Sequence, residues 1–341
     1  MEQKPFISVI CPVYNEEPFA DGFVQSILQQ DYPKDRIEVF FVDGRSTDRT
    51  REILQSYTVQ YPFFHLLDNP RRAAPYALNQ GIRLAQGDVI IRMDSHCRYP
   101  SDYFSVLIHY QQLLDADNVG TVLHTLPAKD TALCHAIAIA SSHPFGVGGS
   151  LLRTGVSRLA QVDTVPFGCF PKRVFERVGL FDEEMVRNQD DEFNGRITQS
   201  GGKIYLIPDI AVEYYARKDL RTTFKMYYQY GLFKPLGNKK LKHPTTIRQF
   251  IPGLFVAGLF GGAVLSAIFP FLWWIYGLVI ILYFLVALAI GVRQAVKRNK
   301  AGIIFWMPVV FVTVHLAYGT GYWLGIWKVL TGASFEVKAS R

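Results

Sequence analysis

Acidic residues are nearly missing from the last third of the chain. From Tyr214 onward 2 Asp and Glu stand against 16 Lys and Arg, whereas the residues up to Glu213 carry 27 against 20. The net +7 of the 341 residues is therefore the sum of an acidic front and a basic rear. Charge of either sign is missing altogether from three long stretches of that rear, residues 250–274, 275–292 and 303–327. Each can cross a hydrocarbon core about 30 Å thick, which takes roughly 20 helical residues. Basic segments interleaved with apolar runs of that length point to membrane lipids as the partner and away from nucleic acid.

Other absences narrow the field further. The cysteines Cys11, Cys97, Cys134 and Cys169 are scattered, with no C-x-x-C among them, so neither a zinc knuckle nor a disulfide framework is expected. Reduced thiols in a cytosolic compartment follow. The Gly-rich "HPFGVGGS" (143–150) lacks the Gly-Lys-Ser/Thr ending of a phosphate-binding P-loop. The apolar start "FISVICPV" is too short for a signal peptide, and "YNEE" cuts it off.

What is present orders itself along the chain. "FISVICPV", "IEVFFVD", "FFHLL" and "DVIIRM" read as strands. Between them "GFVQSILQQ", "STDRTREILQSY" and "APYALNQGIRLAQ" have helical spacing, the second started by Ser46 or Thr47 as N-cap. Such alternation implies βαβ units and a mostly parallel sheet. Ligands of such sheets sit beyond the carboxyl ends of the strands. In the rear, Trp273, Trp274, Trp323 and Trp327 lie near the ends of the apolar runs, as interfacial aromatics do. The basic loops "KKLKHPTTIRQ" (239–249) and "RQAVKRNK" (293–300) should face the cytosol. Three spans then place the tail "KVLTGASFEVKASR" outside. That tail is itself mildly basic, which leaves a re-entrant third run as the alternative.

The strand ends hold the chemistry. After the first come Pro12, Tyr14, Asn15 and Glu16; after the second, Asp43; after the fourth, Asp94 and His96. Asp43 can accept a hydrogen bond from a base or ribose, or simply form a turn. Asp94-Ser95-His96 is either a polar turn or half of a metal site, a divalent cation there neutralising charge on a diphosphate leaving group. A carboxylate beside an imidazole favours Mn²⁺ over Mg²⁺. Arg71 and Arg72 open the third helix, where free N–H groups favour an anion. Asp190, Asp191 and Glu192 open a further helix. They cap its positive end, or one of them is a general base taking the proton of an attacking sugar hydroxyl.

Taken together, "SVICPVYNEE", "VDGRSTD", "ALNQGIRLAQGDVIIRMDSHCRYP" and "VPFGCFPKRVFERVGLFDEE…QDDEFNGRI" resemble a family 2 glycosyltransferase over residues 5–215. "DSH", "HPFGVGGSLLR" and "VDTVPFGCF" resemble the subgroup of succinoglycan-pathway glucosyltransferases, which build exopolysaccharide on a lipid carrier. The resemblance implies an inverting enzyme of α/β GT-A fold, a mostly parallel mixed sheet flanked by helices, followed by C-terminal transmembrane helices. It implies a nucleotide-sugar donor, with UDP-hexose the commonest choice, and a polyprenyl-diphosphate-linked saccharide as acceptor. Pro12, Tyr14, Asn15, Glu16, Asp43, Arg71, Arg72 and Asp94 then fall on the nucleotide side. Asp94 and His96 stand at the family's D-x-D metal motif, with Mn²⁺ or Mg²⁺ as cofactor. Asp190 falls on the base, supported by Asp191, Glu192 and Arg196.

The chain departs from the family pattern in three places. Gly44 stands where many relatives have a second Asp, Gln189 replaces an acid, and His96 replaces Asp. No Q-x-x-R-W block, the mark of processive synthases, occurs. "YYARKDLRTTFKMYYQYG" lies near its position and reads as an amphipathic interfacial helix. The expected organisation is a cytosolic catalytic domain over 1–215, a basic interfacial segment over 216–249, a transmembrane region over 250–330, and a tail over 331–341. The protein is expected in the cytoplasmic membrane, multi-pass. Basic residues of the interfacial segment would each contribute roughly 1 kcal/mol against anionic headgroups. The alternatives are direct transfer to a polyprenyl phosphate and processive synthesis.

Overall fold

The computed structural model describes residues 4–335. The sequence-based strands and helices of the first 92 residues form in order. They are β1 (Ile7–Val13), α1 (Glu17–Leu28), β2 (Ile37–Asp43), α2 (Thr50–Gln60), β3 (Phe64–Asp68), α3 (Ala74–Leu84) and β4 (Val89–Arg92). There follow β5 (Cys97–Arg98), α4 (Tyr103–Leu114), β6 (Asn118–Leu126), α5 (Ala132–Ala140), α6 (Pro144–Val147), α7 (Leu151–Thr154), β7 (Ala160–Gln161) and β8 (Cys169–Pro171). The remainder is α8 (Arg173–Val178), α9 (Gln189–Gln199), β9 (Ile204–Tyr215), α10 (Leu220–Leu241), α11 (Ile251–Ile268), α12 (Leu272–Arg298) and α13 (Gly302–Thr331).

The chain divides into two compact units. The first holds residues up to His124 together with Gly155–Tyr214. Its sheet runs β3-β2-β1-β4-β8-β6-β9-β5, with β7 beside β9. β3, β2, β1 and β4 pair in parallel. β2 is buried at every position, and β1 at all but Pro12. Strands covered by helices on both faces need such near-continuous apolar runs. From β4 onward the pairs β4–β8, β8–β6, β5–β9 and β7–β9 are antiparallel. The mixed sheet is thus parallel only in its first half.

One helix start differs from the sequence reading. α2 begins at Thr50, and neither Ser46 nor Thr47 caps it. The Ser46 hydroxyl is recruited by Asp43, at 2.6 Å. The Thr47 amide donates to Asn15 Oδ1, at 2.8 Å. Asp48 instead accepts from the Thr50 amide and hydroxyl, at 3.0 and 2.5 Å. A buried carboxylate needs hydrogen-bond donors, and Asp43 takes the nearest ones.

The second unit holds Thr125–Thr154 together with Tyr215–Phe335. Three helical segments in it are long and apolar enough to cross a membrane: Ile247–Ile268, Leu272–Arg298 and Gly302–Thr331. Most side chains of α11 and α12 stay exposed, Leu254, Phe260, Leu278 and Leu282 among them. An apolar surface that large needs lipid or protein against it. α13 is the most enclosed, with Met307, Val310, Phe311 and Val314 buried. Its His315 has both ring nitrogens engaged, by the Tyr283 hydroxyl at 2.8 Å and the Phe145 carbonyl at 2.9 Å.

α10 packs on α13 along "GYWLG" (321–325). A Cβ at Gly321 would fall onto the Tyr228 carbonyl, and one at Gly325 onto that of Leu232. Small residues four apart let two backbones approach this closely. Gly321→Leu should therefore destabilise the unit by about 1–3 kcal/mol, the usual range for overpacking. Gly258→Leu in α11, where a Cβ meets nothing within 4 Å, should be neutral. Thermal unfolding of both variants in detergent checks the contrast.

Candidate active site

Beyond the carboxyl ends of β1 and β2, two loops grip each other. Asn15 is left-handed (φ 53°), which its short polar side chain tolerates. Its amide donates to Ser46 Oγ at 2.9 Å, and the Glu16 amide to Thr50 Oγ1 at 2.7 Å. Asp43 is wholly buried, and its oxygens are taken by Ser46 and by Arg51, at 2.9 Å. It shapes the loop and positions Arg51, which remains 45% exposed. A Cβ at Gly44 would lie 3.2 Å from the Tyr14 ring, so that ring fills the space a second Asp would need. Arg72 sits over the same ring, its guanidinium carbon 5.8 Å from the centroid. Arg71 sits likewise over Tyr76, at 5.5 Å. Both arginines are exposed in the turn before α3.

Asp94, Ser95 and His96 bridge β4 and β5. β4 is held by β1 and β8, and β5 by β9, where Cys97 pairs with Tyr214. The link is therefore anchored at both ends. The Asp94 amide donates to the Tyr99 hydroxyl at 2.8 Å. His96 Nδ1 lies 3.6 Å from Glu16 Oε1, and its ring meets Tyr214 edge-on at 5.5 Å. Ser95 is buried, and its hydroxyl has no hydrogen-bond partner among the described residues.

The Asp94 carboxylate does not stand alone. Arg92, the last residue of β4, donates to it from Nε at 3.2 Å and from Nη2 at 3.1 Å. Its Nη1 donates to Asp190 Oδ1, at the start of α9. The two carboxylates are thus brought to one guanidinium, which is 7% exposed and lies over the Phe167 ring. Burial lifts the Asp190 carboxyl to about 6; Arg92 opposes the rise, and Asp94 and Asp191 add to it.

Glu192 and Arg196 meet each other and turn away from this centre. Arg196 donates to both Glu192 oxygens, at 2.7 and 2.9 Å, and to the carbonyls of Val178 and Leu180. They brace α9 against the end of α8 and the residues just after it. Asn194 is likewise internal, bonded to Asn118 and Thr164 at 2.7 and 2.8 Å.

The described residues hold no cluster of three or more His, Cys, Asp or Glu able to cage an ion by themselves. One carboxylate and one imidazole fit an ion that completes its shell with phosphate oxygens and water. Sequence reasoning passed over Arg92. The signal was there, since a charge closing the apolar run "VIIR" inside a central strand requires buried counter-charges.

Residues 8–139 match the family model described as "Glycosyl transferase family 2". The chain is 26% identical over 332 residues to the dolichyl N-acetyl-alpha-D-glucosaminyl phosphate 3-beta-D-2,3-diacetamido-2,3-dideoxy-beta-D-glucuronosyltransferase of Methanococcus voltae, covering 95% of this chain and 98% of that one. It is 29% identical over 319 residues to the succinoglycan biosynthesis protein ExoA of Rhizobium meliloti (strain 1021), covering 92% and 93%. Among solved structures, the mannosyltransferase PcManGT from Pyrobaculum calidifontis, in complex with GDP-Man and Mn²⁺, superposes with a TM-score of 0.58. At 18% identity over 93% of this chain and 88% of that one, this likeness supports the GT-A fold alone.

Proposed function

We propose that the chain is a family 2 glycosyltransferase, as the match of residues 8–139 to that family's model supports, and that it moves a hexose from a UDP-sugar to a lipid-linked saccharide, with inversion at the anomeric carbon. The product would serve exopolysaccharide or other cell-surface polysaccharide synthesis. Two relatives matched over nearly their whole length support this. The name of one states a dolichyl-linked acceptor, and that of the other succinoglycan biosynthesis. The observation that carries the reading is the meeting of Asp94 and Asp190 at Arg92, beyond the carboxyl end of β4.

Each residue then has a task. Asp190 accepts the proton of the attacking hydroxyl. Arg92 keeps that carboxylate charged and oriented. Asp94 and His96 hold a divalent ion, Mn²⁺ in preference to Mg²⁺, which supplies positive charge to the diphosphate leaving group. Arg71 and Arg72 face the same diphosphate. Pro12, Tyr14, Asn15 and Glu16 line the nucleotide, with Asp43 acting through the loop it shapes. Glu192 and Arg196 brace the helix that carries Asp190, and Asp191 joins Asp94 in lifting its pKa.

The three apolar segments would span the cytoplasmic membrane with the basic loops and the residue 1–215 domain in the cytosol. The outward tail in this scheme includes residues 336–341, which lie outside the described residues. The basic 216–249 segment would rest on anionic headgroups.

A general base must have lost its proton. Transfer should therefore climb as pH rises through about 6, where Asp190 titrates, and level off above it. Initial rates at donor well below KM, which report the groups of the free protein, test this, and a flat profile through that range would remove Asp190 from the role. The reaction class is tested with membranes containing the protein and a panel of radiolabelled nucleotide sugars, each run with Mn²⁺, Mg²⁺ or EDTA. Metal-dependent label in extractable lipid from one donor is the expected result. Label in a water-soluble polymer, or in no lipid despite native acceptors, would overturn the lipid-linked acceptor.

A further inference from the structure

Arg92 holds two carboxylates that the proposed reaction needs for different purposes. Both Asp94 oxygens lie within 3.3 Å of its Nε or Nη2, while Nη1 is on Asp190. An ion at Asp94 would have to take that carboxylate from a guanidinium already in fork contact with it. Two cations would compete for one anion.

We propose that Arg92 is a positioning residue that occupies Asp94 before the donor arrives and releases it to the ion, so that its own charge turns wholly to Asp190. The proposal rests on the assignment of Asp94 as ligand and Asp190 as base. Three observations carry it. Arg92 is 7% exposed, so a guanidinium freed from Asp94 cannot turn to water and must keep a protein counter-charge. Asp190 is already in contact with the opposite arm of the fork. One face lies against the Phe167 ring, centroid 5.8 Å away, which shields the guanidinium from solvent on that side. The chain thus holds a built-in cation where the ion's charge will later act.

Two consequences follow. Ion binding is weak until a diphosphate adds negative charge, so ion and donor arrive together. Asp190 gains undivided contact with Arg92 only then, so the base is fully oriented after the donor is loaded and before the acceptor reacts.

The test uses the full chain in detergent and Mn²⁺ alone, with binding read by electron paramagnetic resonance of the free ion and no nucleotide present. Arg92→Met should bind Mn²⁺ about tenfold tighter or more, since a nearby positive charge is gone. Its kcat should fall, while the KM for donor falls at limiting Mn²⁺ and changes little at saturating Mn²⁺. Arg92→Lys, which keeps the charge and loses the fork, should lie between the two in Mn²⁺ affinity. Arg92→Met with Asp190→Asn removes one charge of each sign, keeps the local balance, and should still bind Mn²⁺ tighter than the parent if folded. Unchanged or weaker Mn²⁺ binding in the folded variants would overturn the proposal. Asp94→Asn separates this from failure of the underlying assignment. If it leaves Mn²⁺ binding with donor present intact, Asp94 is not a ligand, and the functional reading fails first.

Discussion

Asp190→Asn should reduce sugar transfer by about 10²–10⁴-fold, the usual contribution of a positioned acid or base. The change is nearly isosteric, and the amide oxygen still accepts from Arg92 Nη1, so the contact that places the side chain persists. What is lost is the capacity to take a proton. Nucleotide-diphosphate binding in EDTA, read by equilibrium titration, should be unchanged, because the proposed base acts on the acceptor. Hydrolysis of the donor by water should fall with transfer, since water also needs its proton removed. Retained transfer would mean that another group is the base. Asp191, which only adds to the electrostatic lift on Asp190, would be the next to test.

Asp94→Asn should abolish the metal-dependent part of donor binding. Altering a residue that merely supports a metal ligand costs about 10–100-fold in affinity, and removing a ligand costs at least as much. Nucleotide-diphosphate affinity with Mn²⁺ should therefore fall to the value measured with EDTA. His96→Asp restores an all-oxygen donor pair and should keep activity while shifting its preference toward Mg²⁺. If both variants respond to Mn²⁺ as the parent does, the ion is held elsewhere.

The parallel half of the sheet was legible because its strands are short apolar runs set between helical repeats. β2 ends at Asp43 as the pattern "IEVFFVD" implies. The antiparallel half was harder. β5, β7 and β8 are only 2, 2 and 3 residues long, too short for any period to show, and their pairing partners lie far away in sequence. The start of α2 was misplaced because Ser46 and Thr47 have good capping chemistry. Only the fold reveals that Asp43 and Asn15 compete for them. Tyr14, Asn15, Glu16, Asp94 and His96 follow the ends of β1 and β4, whereas Pro12 and Asp43, read as lying after the strands, are still paired within β1 and β2. That Arg92 needs a counter-charge was readable, but its meeting with Asp190 and the inward turn of Arg196 were not, because each depends on what an element distant in sequence delivers. Glu192 and Arg196, four residues apart on α9, pair with each other, and Arg196 also reaches the carbonyls of Val178 at the end of α8 and Leu180 just beyond it.

The link between β4 and β5 consists of Met93 to His96, with a hydrogen-bonded strand at each end. A tether that short has almost no slack. The backbone positions from which Asp94 and His96 project are set by the sheet, as the span of a caliper is set by its frame. An ion of different radius would have to be accommodated by the phosphate and water it carries, the only partners free to move. A single glycine inserted after Ser95 would keep both side chains and their chemistry while letting the jaws drift apart. The ion site proposed for Asp94 and His96 would depend on that backbone spacing as much as on the two residues themselves.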